Sequence, residues 1–521
     1  MAEVTDSNIK EGKEDSSNES NIVPLRLKCA LGVGETTQAI YVFIAGFYLN
    51  VFFLETACLD PTYVGLIQLI GGIWDTVNDP MIGMLSDRTR TRFGRRRPWL
   101  LGAALPAGCA YFAIWQTLDN DVSDELKLAY YLLCYMVLSA SITSVQVQIT
   151  SLTPELTSDY DERTSLATYR LAIANVFALI CLVIHSSVIQ SFDQAEKDTG
   201  YRLSAGIFAP MLTFSCLYAF HNIKEKWNES EESSEKLTLC ESLKLVFTNK
   251  AFIIVELVYL CGLTAVVLIQ TNLLLYAKYI VDSEDSITYM ILMVQGVALL
   301  VLPLWLWFSK KYGKKHMYYV GGICVGCAVF FLMLLNGDDD LWAAYFISFI
   351  AGACLTVVYL VPYAMLPDVI ELDEKRTGKR REGTYSGFFV VFMKTSVTLA
   401  LAMSNWILGA AGFEAPDASC GVETSELKDI QPDGVKDVIR ILCGPLPTCL
   451  FFAATFFVWL FPITRESHAE VAKEMKAIRK KRSSMRASMA TGDIEMKGIE
   501  KNDVAMEMKT TKAVYKSKES K

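Results

Sequence analysis

Histidine is nearly absent: four in 521 residues, scattered at His185, His221, His316 and His468. None stands at metal-ligand spacing from another, and none forms a loop constellation with an acid and a nucleophile. That removes the usual basis for a membrane-bound enzyme, and no cofactor is expected. No symmetric or filter-like pore motif is visible, which argues against a channel. Residues 1–24 lack the basic start and apolar run of a cleavable signal; polar and mildly acidic, they read as a disordered cytoplasmic tail. The fourteen cysteines do not form a framework. Most, among them Cys134, Cys181, Cys261, Cys324 and Cys327, sit in apolar runs as small hydrophobes. Cys58 and Cys420 fall in expected exterior loops, where sequence decides neither a disulfide nor its pairing.

What is abundant is apolar sequence. Hydrophobic residues make up 52% of the chain, and the mean hydropathy is +0.30. Soluble domains carry about 45–50% even with glycine counted. The excess is clustered in twelve stretches, near 28–54, 62–86, 98–117, 127–152, 164–190, 203–221, 250–277, 287–308, 316–336, 341–366, 384–412 and 438–462. Each is long enough to cross a bilayer as a helix. The expected fold is an all-α polytopic membrane protein of twelve transmembrane helices.

The loops alternate in charge. One set is basic: Arg88, Arg90, Arg92 and Arg95 to Arg97; Lys310, Lys311, Lys314 and Lys315; Lys375, Arg376 and Lys379 to Arg381. The other set is acidic, at 119–125, 282–286 and 336–340. Basic loops face the cytoplasm, so both termini are expected inside. The expected location is that of a multi-pass protein in the plasma membrane.

A polar interruption at 222–249 divides the stretches six and six. The halves echo one another. Arg92-Phe93-Gly94-Arg95-Arg96 matches Lys311-Tyr312-Gly313-Lys314-Lys315, and Pro154-Glu155 with Arg163-Thr164 matches Pro367-Asp368 with Arg376-Thr377. Two matches in register predict parallel repeats about an axis normal to the membrane, with substrate bound between them. The expected organisation is a tail at 1–26, bundles at 27–221 and 250–462 around the linker 222–249, and a basic tail at 463–521. That last tail holds 15 lysines and arginines against 9 acids, suiting either anionic headgroups or plain solvation.

Two acids stand in the second stretch. Asp75 and Asp79, four residues apart, share one helix face near mid-bilayer. An intramembrane carboxylate costs at least about 2.5 kcal/mol and is paired, hydrated or functional. Pro80 follows and cannot donate to the carbonyl of Thr76, which frees an oxygen beside them. Two carboxylates and a loosened carbonyl suit a hard monovalent cation; the alternative is a structural ion pair. Lys394, in the middle of the eleventh stretch, needs a partner, and these acids are the candidates. Arg170 is a second intramembrane cation, whose fork suits a phosphate or carboxylate unless it snorkels to the interface. Asn78 and Gln146 join Lys394 and Arg170 as substrate or coupling candidates. Gln38, Gln148, Gln270, Asn272 and Asn405 line a cavity or bond between helices. Glu256 lies close enough to a helix start for the dipole to tolerate it. Asp87, Arg88, Arg95 and Arg96, with Asp368 and Arg376 in the other half, are candidates for latching the inward gate. The loop after the second stretch serves equally as an anchor to anionic lipid.

GGIWDTVNDPMIGMLSDRTRTRFGRRRPW resembles the helix-two signature of the glycoside-pentoside-hexuronide:cation symporters, a major facilitator branch that includes the melibiose carrier. MLPDVIELDEKRTGKRREGTYSGFF resembles the matching signature between helices ten and eleven. Within the branch the chain is most similar to the animal sodium-dependent lysophosphatidylcholine symporters, through SLTPELTSDYDERTSLATYR (151–170), WLWFSKKYGKKHMYYVG (305–321), PYAMLPDVIE (362–371) and FFVVFMKTS (388–396). The resemblance implies a sodium site at Asp75 and Asp79, Lys394 as their charge partner, and Arg170 near substrate. Sugar carriers of this branch hold the glycoside with acids on helices one and four. Here the nearest positions are Gln38 or Ala39 and Gln146, with Glu35 out of register. The loop after helix five (SFDQAEKDTGYR) also lacks the cysteine and the glycan acceptor expected of the lysolipid carriers.

The expected function is sodium-coupled import of a lysophospholipid by alternating access, as a monomer, with sodium, membrane lipid and substrate as partners and no nucleic acid. The alternative is a cation-coupled sugar or glycoside symporter of the melibiose-carrier type. Phe388, Phe389, Phe392 and Trp406 are candidates to line an acyl-chain path.

Overall fold

The protein is described from a computed structural model, which describes residues 23–463 apart from 120, 158–159, 194–195, 224–238, 282, 284–285, 336–339, 378–380 and 415–430. The tails beyond these limits lie outside the described residues, as does Cys420. Among the described residues the only β structure is an isolated bridge between Thr91 and Gly94; everything else regular is helical.

In the N-terminal half the helices are α1 (Leu25–Ile44), α2 (Pro61–Arg88), α3 (Arg97–Ile114), α4 (Asp124–Leu156), α5 (Tyr160–Gln190) and α6 (Lys197–Asn222). A short helix α7 (Leu239–Thr248) follows within the stretch read from sequence as a polar linker. In the C-terminal half are α8 (Lys250–Tyr276), α9 (Ser286–Tyr312), α10 (Lys314–Phe331), α11 (Leu341–Thr377), α12 (Glu382–Ala410), α13 (Asp433–Cys443) and α14 (Pro445–Leu460). Helix α1 runs on into π-helical turns at Ala45–Leu49 and Phe52–Thr56, and α8 into one at Ala277–Val281.

Nine spans among the described residues are long and apolar enough to cross a membrane. The three remaining helical stretches at expected positions are α1, α2 and α3. Helix α2 is the most polar of them, with Gln68, Asp75, Thr76, Asn78 and Asp79 in its membrane-depth turns.

Local chemistry explains the helix ends. Asp60 accepts from the backbone N–H of Thr62 at 2.7 Å and Pro61 opens α2. Asn249 caps α8 through the N–H groups of Ala251 and Phe252. The repeated basic loops turn on glycines in the left-handed region, Gly94 at φ 106° and Gly313 at φ 89°. A side chain is disfavoured there, which is why glycine marks the centre of both motifs.

One boundary differs from the sequence reading. Asp368 to Arg376, taken there as loop, form the last turns of α11, eleven residues beyond the apolar stretch ending at 366. Ion pairs hold this extension: Lys314 to Asp368 at 2.7 Å and Arg381 to Asp373 at 3.5 Å.

The halves meet mainly where α2 packs on α12. Gly65 and Gly72, seven residues apart on one face of α2, permit that approach. A Cβ at Gly65 would collide with Trp406, and one at Gly72 with Thr398, both on α12. Towards the acidic loops the halves are also tied by polar groups. Asn405 donates to Asn50 at 2.9 Å and to Gln68 at 2.7 Å. Lys278 pairs with Glu55 at 2.6 Å, Tyr279 donates to the same carboxylate at 2.9 Å, and Ser186 meets Thr288.

Candidate functional site

Helices α2 and α4 run side by side, and each carries polar residues one turn apart. Ser139 donates to Asp75 at 2.6 Å and Thr143 to Asp79 at 2.9 Å, the same offset of 64 residues in both cases. Thr143 also lies 3.3 Å from Asp75 Oδ1. Trp74 locks the register by donating its indole N–H to the carbonyl of Met136 at 3.0 Å. From the other half, Lys394 on α12 places its Nζ 2.7 Å from Asp75 Oδ2 and 2.7 Å from Asp79 Oδ1. The same ammonium lies 3.3 Å from the Asp75 carbonyl.

The charge balance of this cluster is informative. Two carboxylates face one ammonium, so with all three ionised one negative charge remains in a poorly solvated place. Side-chain exposure is 13% for Lys394, 18% for Asp79 and 28% for Asp75, so Asp75 keeps the most open approach. The donors converging here are all oxygens, the ligand type that hard cations take. One monovalent cation would complete neutrality. Beside the two acids, the Ser139 and Thr143 hydroxyls and the Asp75 carbonyl are the further oxygens within reach of a cation.

Arg170 is not part of this cluster. It lies 3.7 Å from Glu35 and donates to Thr153 at 3.1 Å, joining α5 to α1 and α4. Glu35 Oε2 and Arg170 Nε are buried without a hydrogen-bond partner. Asn78 is buried one turn from Trp74 with its Nδ2 unpartnered, and Gln146 is half-buried on α4. Of the other amides, Asn405 joins Asn50 and Gln68, and Asn272 donates to Ser404 at 2.7 Å. Gln148 is buried with both amide atoms unpartnered, as is Gln38 Oε1. Glu256, the seventh residue of α8, is buried with neither carboxylate oxygen hydrogen-bonded.

Of the gating candidates, Asp87, Arg95, Arg96 and Asp368 pair within their own halves. Asp87 lies 3.3 Å from Arg96 and 3.9 Å from Arg95, and Asp368 pairs with Lys314. Arg88 is exposed at the end of α2, and Arg376 lies in the last turn of α11. Phe389 is stacked on Tyr259 at 4.8 Å and buried, so it belongs to the core. Phe392 meets Phe247 of α7 at 6.1 Å. Cys58 is disulfide-bonded.

Comparison with known proteins agrees with this architecture. The family model described as MFS/sugar transport protein matches residues 30–465. An uncharacterized symporter of Synechocystis sp. is 28% identical, over 86% of this chain and 96% of its own. The sodium-dependent lysophosphatidylcholine symporter 1 of Gallus gallus is 26% identical, over 86% and 88%. The sphingosine-1-phosphate transporter MFSD2B of Mus musculus is 26% identical, over 87% and 92%. Among solved structures, a bacterial homolog of the human lysosomal transporter Spinster, inward-facing and unoccupied, overlaps with a TM-score of 0.61 at 12% identity, covering 85% of this chain and 98% of that one. A D-xylose-proton symporter overlaps at 0.59 and 13% identity, covering 84% and 97%. These overlaps establish the major facilitator fold. With an all-helical body, apolar spans and a family match over most of its length, the chain is a membrane transporter of the MFS/sugar transport protein family.

Proposed function

We propose that this transporter imports a lysophospholipid together with sodium, by alternating access. The observation that carries the proposal is Lys394 bridging Asp75 and Asp79 from the opposite half of the chain. Sodium arriving from outside competes with the ammonium for the same carboxylates. Once the ion is held by Asp75, Asp79 and Thr143, Lys394 is released towards the headgroup phosphate. The acyl chain lies in the apolar cleft between the halves. With the basic loops in the cytoplasm, the ties Glu55–Lys278 and Asn50–Gln68–Asn405 lie at the exterior end, which supports a conformation closed to the outside. Inward movement of one sodium ion gains about 2.3 kcal/mol per 100 mV of membrane potential.

The relatives support a single-chain phospholipid class. Two of them are named for lysophosphatidylcholine and sphingosine-1-phosphate, both one tail with a phosphate. A second reading has an observation of its own. The buried Glu35–Arg170 ion pair, at 3.7 Å too long for a hydrogen bond, leaves Glu35 Oε2 and Arg170 Nε able to bond a sugar hydroxyl between them.

Uptake of labelled lysophosphatidylcholine and of a labelled galactoside, each in sodium and in choline medium, separates the two. Sodium-dependent lipid uptake lost in Asp79→Ala supports the first reading. Sodium-stimulated galactoside uptake supports the second and overturns the first.

A further inference from the structure

A groove of about 640 Å³ opens on the N-terminal half between α2, α3 and α4, floored by Trp74, Trp99, Gly102, Met136, Ala140 and Ser144. All of its lining residues belong to this half, so it is not the cleft between halves. Its hollow comes from small side chains, and Leu133 and Val137 on its edge are exposed.

The wall presents no free donor. The indole N–H of Trp74 goes to Met136 O and that of Trp99 to Thr89 Oγ1, each at 3.0 Å. Ser141, Ser144 and Thr89 donate to carbonyls of their own helices at 2.7, 2.7 and 2.9 Å. Whatever lies in the groove is therefore met as hydrocarbon. Its basic end is different in kind. Thr89 lines it, and its chain neighbours Arg88 and Arg90, just beyond the lining, are both exposed, with one Arg90 nitrogen donating to the carbonyls of Asp87 and Thr89 at 2.6 and 3.0 Å. From Trp74 to Thr89 the helix rises about 22 Å, on the scale of one leaflet including its headgroup zone.

We infer that this groove binds one anionic phospholipid of the cytoplasmic leaflet as a resident, untransported lipid. An acyl chain fills the hollow and the phosphate sits at Arg88 and Arg90. The charge complementarity is between the arginine rim and an anionic headgroup, at the depth where the loop charges put the inner-leaflet interface. The lipid braces the α2–α4 pair that holds the acids, since Met136 and Ala140 line the groove on the helix that presents Ser139 and Thr143 to Asp75 and Asp79. The inference stands whichever solute is carried.

Native mass spectrometry of the full chain tests it, with phosphatidylglycerol and phosphatidylcholine of identical acyl chains offered as competitors. We expect one phosphatidylglycerol retained per chain, preferred by about tenfold or more from two arginines. Gly102→Phe points a ring into the hollow from a position whose Cβ meets nothing within 4 Å; it should cut retention of both lipids. The double variant Arg88→Gln with Arg90→Gln leaves the hollow intact and should abolish the preference alone. Equal retention of the two lipids by the unaltered chain overturns the inference. So does undiminished retention by Gly102→Phe, a preference surviving the double variant, or displacement of the lipid by a sterol or a second copy of the chain.

Discussion

Lys394 and Asp79 meet at 2.7 Å from opposite halves of the chain. Because Asp75 shares the same ammonium, the lysine is a common counter-ion rather than one member of a simple pair. Removing it should leave two carboxylates without compensation, a loss of about 3–5 kcal/mol. Sodium is then the available substitute. Lys394→Ala is expected to unfold at lower temperature in choline chloride and to recover more on adding sodium than the unaltered protein does. An equal sodium effect on both would contradict the competition.

Thr143 should set sodium affinity. Its hydroxyl, like the Lys394 ammonium, reaches both acids, at 2.9 and 3.3 Å. A hydrogen bond to a charged group is worth about 1.5–3 kcal/mol. Thr143→Val is therefore expected to raise the sodium concentration for half-maximal uptake by roughly tenfold or more, with expression unchanged. An unaltered sodium curve would remove Thr143 from the site.

Gly72 governs how near α12 can come. Gly72→Ala forces its methyl into Thr398, moving Lys394 one turn away on the same helix. Transport should fall at least tenfold, a cost of about 1.4 kcal/mol in the coupled step. Thr398→Ala, which removes the two colliding outer atoms, should restore part of it. Additive losses in the double variant would show that the two positions are not in steric conflict.

Glu55 ties the acidic ends together through Lys278 and Tyr279. Glu55→Gln should weaken that closure and speed hydrogen exchange in Phe52–Thr56 and Ala277–Val281, by about tenfold for a loss near 1.4 kcal/mol. Unchanged exchange would mean that the aromatic and amide contacts hold this end alone.

The sequence exposed the parts of this molecule that depend on composition and local chemistry. Acids and a lysine in apolar stretches stand out because oil makes them costly, and Gly94 and Gly313 mark the repeat because its turn needs a left-handed residue. The hydroxyls of α4 were hidden by an ambiguity of serine and threonine. Ser141 and Ser144 bond back to carbonyls four residues earlier, whereas Ser139 and Thr143 reach across to another helix. Nothing local separates the two behaviours; only the matching four-residue spacing on α2 hints at it. The Glu35–Arg170 pair was hidden for a like reason, since it depends on how α1 packs on α5. The acids at the end of α11 were read as loop because polarity ends an apolar stretch before tertiary ion pairs end a helix.

Direct binding of radioactive sodium to the purified full chain bears most closely on the site at Asp75 and Asp79. The account predicts saturable binding of one ion per chain, lost in Asp79→Asn and strengthened in Lys394→Ala. Binding that is untouched by Asp79→Asn, or weakened by loss of the lysine, would contradict it.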